Sequence, residues 1–122
     1  NIENYIFEFD KNILKLILSS DLAITRCGAS TTAELVHTLT PFIAVPYPYS
    51  MDNHQYLNAK YYENKGCCWV IEQNNFNSTS LFNLIMEIMK DKRKLENIRE
   101  NMKKNDSKNV YTKIENAIKE II

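Results

Sequence analysis

The run Asp21-Leu22-Ala23-Ile24-Thr25-Arg26-Cys27-Gly28-Ala29-Ser30-Thr31-Thr32-Ala33-Glu34-Leu35 decides how this chain folds. The β-formers Leu22 to Thr25 stop at Arg26-Cys27-Gly28 and pass directly into helix-start residues, Ser30, Thr31 and Thr32, followed by Ala33-Glu34-Leu35. The pattern is a strand, a tight turn and a helix. Such a turn aims free backbone N–H groups and the positive end of a helix at one point beyond the strand's carboxyl end, where phosphate is the usual guest. Glu34 sits one helical turn further in, within reach of the hydroxyls of a ribose attached to that phosphate. A second reading stands beside this one. Thr31-x-x-Glu34 also fits a capping box, in which the glutamate only satisfies a backbone N–H. A short strand-turn-helix with one glycine does not choose between them.

Outward from that stretch, toward the start of the chain, Ile13 to Leu18 is apolar nearly all round and reads as a short helix buried against a sheet. Tyr5 to Phe9 reads as a strand. In the other direction Pro41 ends the helix, and Phe42-Ile43-Ala44-Val45 is continuously apolar, the pattern of a parallel strand covered on both faces. The loop Pro46 to Met51 then delivers Asp52, Asn53, His54 and Gln55 to the first turn of the next helix. This repeats the geometry of the first turn, so both loops are expected to open on the same sheet edge, where open α/β folds bind ligands. That helix ends at Lys65-Gly66, and Cys68 to Ile71 forms a third buried strand. Beyond Asn77-Ser78 the pattern is helical: Leu81, Leu84, Ile85 and Ile88, then Leu95, Ile98 and Met102, then Val110, Ile114, Ala117, Ile118 and Ile121. The expected fold is α/β, a Rossmann-like parallel sheet flanked by helices.

Bulk properties narrow the function. A chain of 122 residues, 44% hydrophobic, supports one compact domain. Fifteen basic residues balance fifteen acidic ones, so global charge calls for neither nucleic acid nor an acidic partner. Cys27, Cys67 and Cys68 are an odd set without metal-type spacing, read as reduced thiols. No apolar run approaches a membrane span. From Lys90 to Lys104 seven basic residues face three acidic ones, read as a solvated face with an anionic membrane surface as the second reading. The chain does not open on Met, and its first residues run at once into the Tyr5 strand, so it is expected to be a piece of a longer protein.

Neither strand-end loop sets a nucleophile beside a base, so serine catalysis is not indicated. His54, Asp52 and Glu34 could be set out as metal ligands, but Asn53 and Gln55 fit sugar hydroxyls better, and zinc would want more histidine or cysteine. His37, late in its helix, reads as a helix-end or packing residue. Tyr47, Tyr49 and Tyr56 read as cover for the loop.

ITRCGASTTAEL followed by PFIAVPYPYSMDNHQYLNAKYYENKGCCWVIEQ closely resembles the carboxyl-terminal part of the MurG family, bacterial transferases that add N-acetylglucosamine to lipid I to make lipid II. The resemblance covers almost the whole chain. It implies most of the second, donor-binding domain of a GT-B glycosyltransferase over residues 1–122, incomplete at its start, with the acceptor-binding domain upstream. It places the diphosphate of UDP-N-acetylglucosamine at Ala29, Ser30 and Thr31, the ribose at Glu34, and the sugar at His54 and Gln55. Many relatives carry glutamine where this chain has His54. The uracil would lie near Asp10. No catalytic residue is implied within this chain. The resemblance also implies that departing UDP is held by backbone dipoles, with no metal or other cofactor. Lipid I is expected to bind through the missing domain, with peripheral contact at the cytoplasmic face of the bacterial inner membrane. An alternative is the separate nucleotide-sugar subunit of a two-chain lipid-linked N-acetylglucosamine transferase, which has a similar NHQ loop. A blander one is a regulatory Rossmann remnant without ligand.

Overall fold

Three apolar runs, none long enough to bury itself, pair side by side in the computed structural model, which describes residues 3–8, 11–106 and 118–120. They are β1 (Ala23–Thr25), β2 (Phe42–Ala44) and β3 (Cys68–Val70), all parallel in the order β1-β2-β3. Register places Ile24, Ile43 and Trp69 in one row, with Ala23, Phe42 and Cys68 beside it. The ladder runs one residue past the strands, where Val45 N–H donates to Thr25 O at 2.8 Å and Ile71 N–H to Ala44 O at 2.9 Å. Parallel neighbours require crossovers, and helices supply them. α1 (Ile13–Leu18) precedes β1, α2 (Ala29–His37) joins β1 to β2, and α3 (His54–Asn64) joins β2 to β3. α4 (Ser78–Lys90) and α5 (Lys92–Asn105) follow. The sheet is therefore α/β, with helices against parallel strands, as the unbroken apolar pattern of Phe42 to Val45 requires.

The core lies on the Phe42 and Ala44 side of β2. Phe42, Ala44, Leu35 and Val36 of α2, Ala59 of α3, and Ile98 and Met102 of α5 share one buried cluster with Cys27, Cys67 and Cys68. Removing a side chain the size of Phe42 from water contributes roughly 1.5 to 3 kcal/mol. The period read along Leu95, Ile98 and Met102 is the face that α5 buries here, and Met102 is fully buried.

Two expectations fail at the start of the chain. Described residues 3–8 carry no strand, and Ile6 is 90% exposed, so the strand expected at Tyr5 to Phe9 is absent there; Phe9 lies outside the described residues. Aromatic content marks β propensity, but no described strand pairs with the free side of β1. α1 forms where expected, yet it buries no residue, and only Ile17 packs against the core. The face read along Val110 to Ile121 falls mostly outside the described residues, of which Ile118 to Glu120 are helical.

The carboxyl ends of α2 and α3 are closed by backbone geometry. After α3, Gly66 takes φ +73°, and its N–H and that of Cys67 reach back to Glu63 O and Tyr62 O at 2.9 and 2.8 Å. This is the left-handed glycine stop that Lys65-Gly66 announced. After α2 the same pair of bonds forms around Leu39 at φ +57°, a conformation glycine would take more cheaply. At Gly66 an added Cβ would stand 2.5 Å from Asn101 Nδ2, the atom that donates to Gly66 O at 3.0 Å. Gly66→Ala is therefore expected to destabilise the protein by about 1 to 3 kcal/mol, through left-handed strain and displacement of Asn101. Urea unfolding checks this, and an unchanged midpoint would contradict it.

Candidate functional site

Gly28 is the residue before α2, extended at φ −65° and ψ 146°, with no side chain to cap the helix. The first helical bond runs from Thr32 N–H to Gly28 O at 3.0 Å. The N–H groups of Gly28, Ala29, Ser30 and Thr31 thus have no partner among the described residues, as expected for an uncapped helix start. With Gly28 before the helix, a capping-box glutamate would have to stand at position 31, which is Thr31. Glu34 is one turn too far in for that role and lies exposed. The capping reading therefore does not describe this turn. A Cβ built on Gly28 would meet nothing within 4 Å, so the backbone here faces open space.

The second loop is strained where it enters α3. A short 3-10 turn, Met51–Asn53, precedes the helix, and Asp52 and Asn53 adopt φ of 51° and 59°. Asp and Asn tolerate the left-handed region better than other side chains, which is why this sequence can make the turn. The helix expected from about Asp52 thus begins at His54. Ser50 Oγ accepts from Gln55 N–H at 3.1 Å and closes the entry.

Gln55 joins the two loops. Its Oε1 accepts from Cys27 N–H at 3.1 Å and from Tyr47 N–H at 2.9 Å, so one carboxamide oxygen braces the chain after β1 and after β2. One turn on, Asn58 Nδ2 donates to Cys27 O at 3.0 Å and to Thr32 Oγ1 at 2.8 Å. Arg26 Nη1 donates to Val45 O at 3.2 Å, and its guanidinium lies 5.6 Å from the centre of the Tyr47 ring. A cavity of about 670 Å³ opens between the loops, lined among others by Gly28, Ala29, Ser50, His54, Gln55 and Asn58.

The expected residues are thus partly gathered. Ala29, His54 and Gln55 meet at the cavity, whereas Ser30, Thr31 and Glu34 lie on the exposed opening turns of α2 outside its lining. Asp10 lies outside the described residues. Gln55, expected to offer its amide to a sugar, has its oxygen engaged by the protein and only its NH2 left to give. Asn58, Thr32 and Ser50 were not singled out by sequence reasoning. The spacing of Gln55 and Asn58 on one helix face was the available signal. Tyr49 is 80% exposed and does not cover the loop; it stands edge-on to Tyr47 at 5.7 Å. His37 ends α2 and donates from Nδ1 to Asp106 Oδ2 at 3.1 Å, an exposed helix-end contact.

The chemistry on offer is binding. Burial pushes the Cys27 thiol up to about 11, and raises Cys67 and Cys68 as well, so all three unbridged cysteines stay protonated near neutral pH. Among the described residues no group of three or more His, Cys, Asp or Glu side chains gathers as a metal site would require, and Asp52, His54 and Glu34 do not form one. The site presents backbone donors, a helix start and amide groups.

Comparison with known proteins adds to this geometry. The profile of the glycosyltransferase family 28 C-terminal domain matches residues 1–118. A Pelagibacter ubique protein is 35% identical over 122 residues, all of this chain and 34% of its own length. A Rickettsia bellii protein is 37% identical over the same span, again 34% of its length. A Campylobacter jejuni protein is 41% identical over 88 residues, 72% of this chain and 26% of its own. Each is named a UDP-N-acetylglucosamine--N-acetylmuramyl-(pentapeptide) pyrophosphoryl-undecaprenol N-acetylglucosamine transferase. The chain therefore spans about a third or less of the length of these relatives. The crystal structure of Acinetobacter baumannii MurG superposes with a TM-score of 0.74 at 24% identity, over 92% of this chain and 33% of that one, and so shares its fold.

The bracing by Gln55 can be measured apart from any ligand. Gln55→Ala leaves two backbone N–H groups without their acceptor and is expected to cost about 1 to 3 kcal/mol in unfolding free energy. Gln55→Glu keeps an acceptor oxygen in place and is expected to lose less. Equal stability of the alanine variant and wild type would contradict the brace.

Proposed function

The chain belongs to the family of glycosyltransferase family 28 C-terminal domains, and on that premise we propose that it is the donor-binding part of a transferase that moves N-acetylglucosamine from UDP-N-acetylglucosamine to lipid I, giving lipid II for peptidoglycan synthesis. The observation that carries this reading is the meeting, in one cavity at the carboxyl edge of a parallel sheet, of the uncapped start of α2 at Gly28 and Ala29 with His54, Gln55 and Asn58 of α3. The names of the relatives supply the sugar and the acceptor.

Residues 1–122 then form the carboxyl-terminal nucleotide-sugar domain, and an amino-terminal domain holds lipid I. The diphosphate rests on the N–H groups of Ala29, Ser30 and Thr31, and that of Gly28 joins them. Glu34, one turn along the exposed side of α2, accepts from the ribose hydroxyls. His54 and the NH2 of Gln55 face the N-acetylglucosamine hydroxyls, and Asp10 is assigned to the uracil side. The acceptor hydroxyl attacks the anomeric carbon as the bond to UDP breaks, with inversion. Negative charge grows on the departing diphosphate, and preorganised N–H dipoles at a helix start stabilise it without reorganising. These residues supply the leaving-group side; the base that takes the acceptor proton is not among them.

Lipid I carries an undecaprenyl chain, so the reading places the intact protein peripherally at the cytoplasmic face of the bacterial inner membrane. No helix among the described residues is long and apolar enough to cross a membrane. Transfer of labelled N-acetylglucosamine to lipid I by the intact protein tests the proposal, and absence of both transfer and UDP binding would reject it.

Two variants test the site. Glu34→Ala is expected to weaken UDP and UDP-N-acetylglucosamine alike by about 1 to 3 kcal/mol, the cost of losing hydrogen bonds to a charged group. Unchanged affinity in calorimetry would remove Glu34 from the site. Gly28→Ala puts a methyl into open space at an allowed φ, so stability should hold within about 1 kcal/mol while UDP affinity falls. Wild-type affinity for UDP in Gly28→Ala would place the diphosphate elsewhere.

A further inference from the structure

Three of the four unpartnered N–H groups at the start of α2, those of Gly28, Ala29 and Ser30, belong to peptide units whose carbonyls accept side-chain hydrogen bonds. Each peptide is planar and trans, so the carbonyl of residue 27 and the N–H of residue 28 point in opposite directions, and fixing one aims the other. Asn58 Nδ2 donates to Cys27 O at 3.0 Å and so holds the peptide that carries the Gly28 N–H. Thr32 Oγ1 donates to Gly28 O at 3.0 Å and to Ala29 O at 3.1 Å, holding the peptides that carry the N–H groups of Ala29 and Ser30. The same Asn58 nitrogen donates to Thr32 Oγ1 at 2.8 Å. That bond occupies a lone pair of the hydroxyl and turns its proton toward the two carbonyls. Thr32 is fully buried, so its geometry is set by its protein partners, the Tyr62 hydroxyl among them, and not by water.

Resting on the donor-binding reading above, we infer that Asn58 is a positioning residue for the donor diphosphate: through Cys27 O and the Thr32 hydroxyl it fixes and polarises the three peptide units that present the N–H groups of Gly28, Ala29 and Ser30. A hydrogen bond accepted at a peptide carbonyl makes the N–H of that unit a better donor, so the network strengthens the anion site as well as orienting it. Gln55 acts on the preceding peptide by accepting from Cys27 N–H at 3.1 Å. Two amides one turn apart on α3 thereby hold both sides of Cys27, and the phosphate turn is set from the helix that carries the sugar-facing residues.

A double-mutant cycle on UDP affinity of the intact protein tests this, with each variant first shown to be folded by far-UV circular dichroism. Asn58→Ala and Thr32→Val are each expected to weaken UDP about tenfold. Because both act on one network, Asn58→Ala/Thr32→Val together should cost scarcely more than either alone and far less than the roughly hundredfold product of independent effects. Thr32→Ser restores the hydroxyl and is expected to bind within about twofold of wild type. Wild-type affinity in Asn58→Ala, or a cycle in which the losses multiply, overturns the inference, the latter by showing that Asn58 acts independently of Thr32. If Asn58→Ala does not fold, Thr32→Val against Thr32→Ser makes the same comparison, since Thr32 holds two of the three carbonyls; equal affinity of those two overturns it. Failure of the wild-type protein to bind UDP at all rejects the nucleotide reading and this inference with it, an outcome distinct from binding that the variants leave unchanged.

Discussion

One carboxamide oxygen carries the tie on which the site depends. Gln55 Oε1 accepts from the N–H of Cys27 and from that of Tyr47, groups 28 and 8 residues away along the chain. A carbonyl oxygen has two lone pairs, and here both are used. Strands of three residues cannot by themselves fix the loops beyond their ends, since each contributes only a few ladder bonds. The bridge makes the turn after β1 and the loop after β2 a single body with α3. The start of α2 is then held relative to α3 rather than left to the fraying end of an edge strand.

Beneath that tie lies an ordinary apolar core, and above it lies strain. Phe42, Leu35, Val36 and Met102 anchor α2 and α5 to β2, so the carboxyl edge stands on well-packed elements. The left-handed pair Asp52 and Asn53 is retained just where the chain must turn back to present His54 and Gln55. Conformations that cost of order 1 to 3 kcal/mol persist when the surroundings determine them, and they gather at binding loops. Here the surroundings are the Ser50 bond to the Gln55 N–H and the Gln55 bridge itself.

Much of the fold was legible in the sequence because its signals are local. Phe42 to Val45 has no polar alternation, the pattern of a covered parallel strand, and Lys65-Gly66 stops α3 as such a pair does. The start of the chain misled for a physical reason. Tyr5, Ile6 and Phe7 have strand chemistry, but a strand needs a neighbour, and side-chain type cannot report whether one is present. At the site, residues recognisable by type were found: the turn after β1, and His54 and Gln55 in the first turn of α3. The bonds between them were not legible. That Gln55 turns its oxygen to Cys27 and Tyr47, or that Asn58 reaches Thr32, depends on the packing of α3 beside α2. Glu34 shows the converse, because its spacing from Thr31 fitted a capping box until the helix start fell at Gly28.

The most direct test of the account follows the backbone amides themselves. In a nitrogen-15 correlation spectrum of the intact protein titrated with UDP, the amide resonances of Gly28, Ala29, Ser30 and Thr31 should shift furthest, the proton shifts running downfield as each N–H meets a phosphate oxygen, while those of α4 stay in place. Saturable UDP binding that leaves these four amides unmoved and shifts another part of the chain would contradict it.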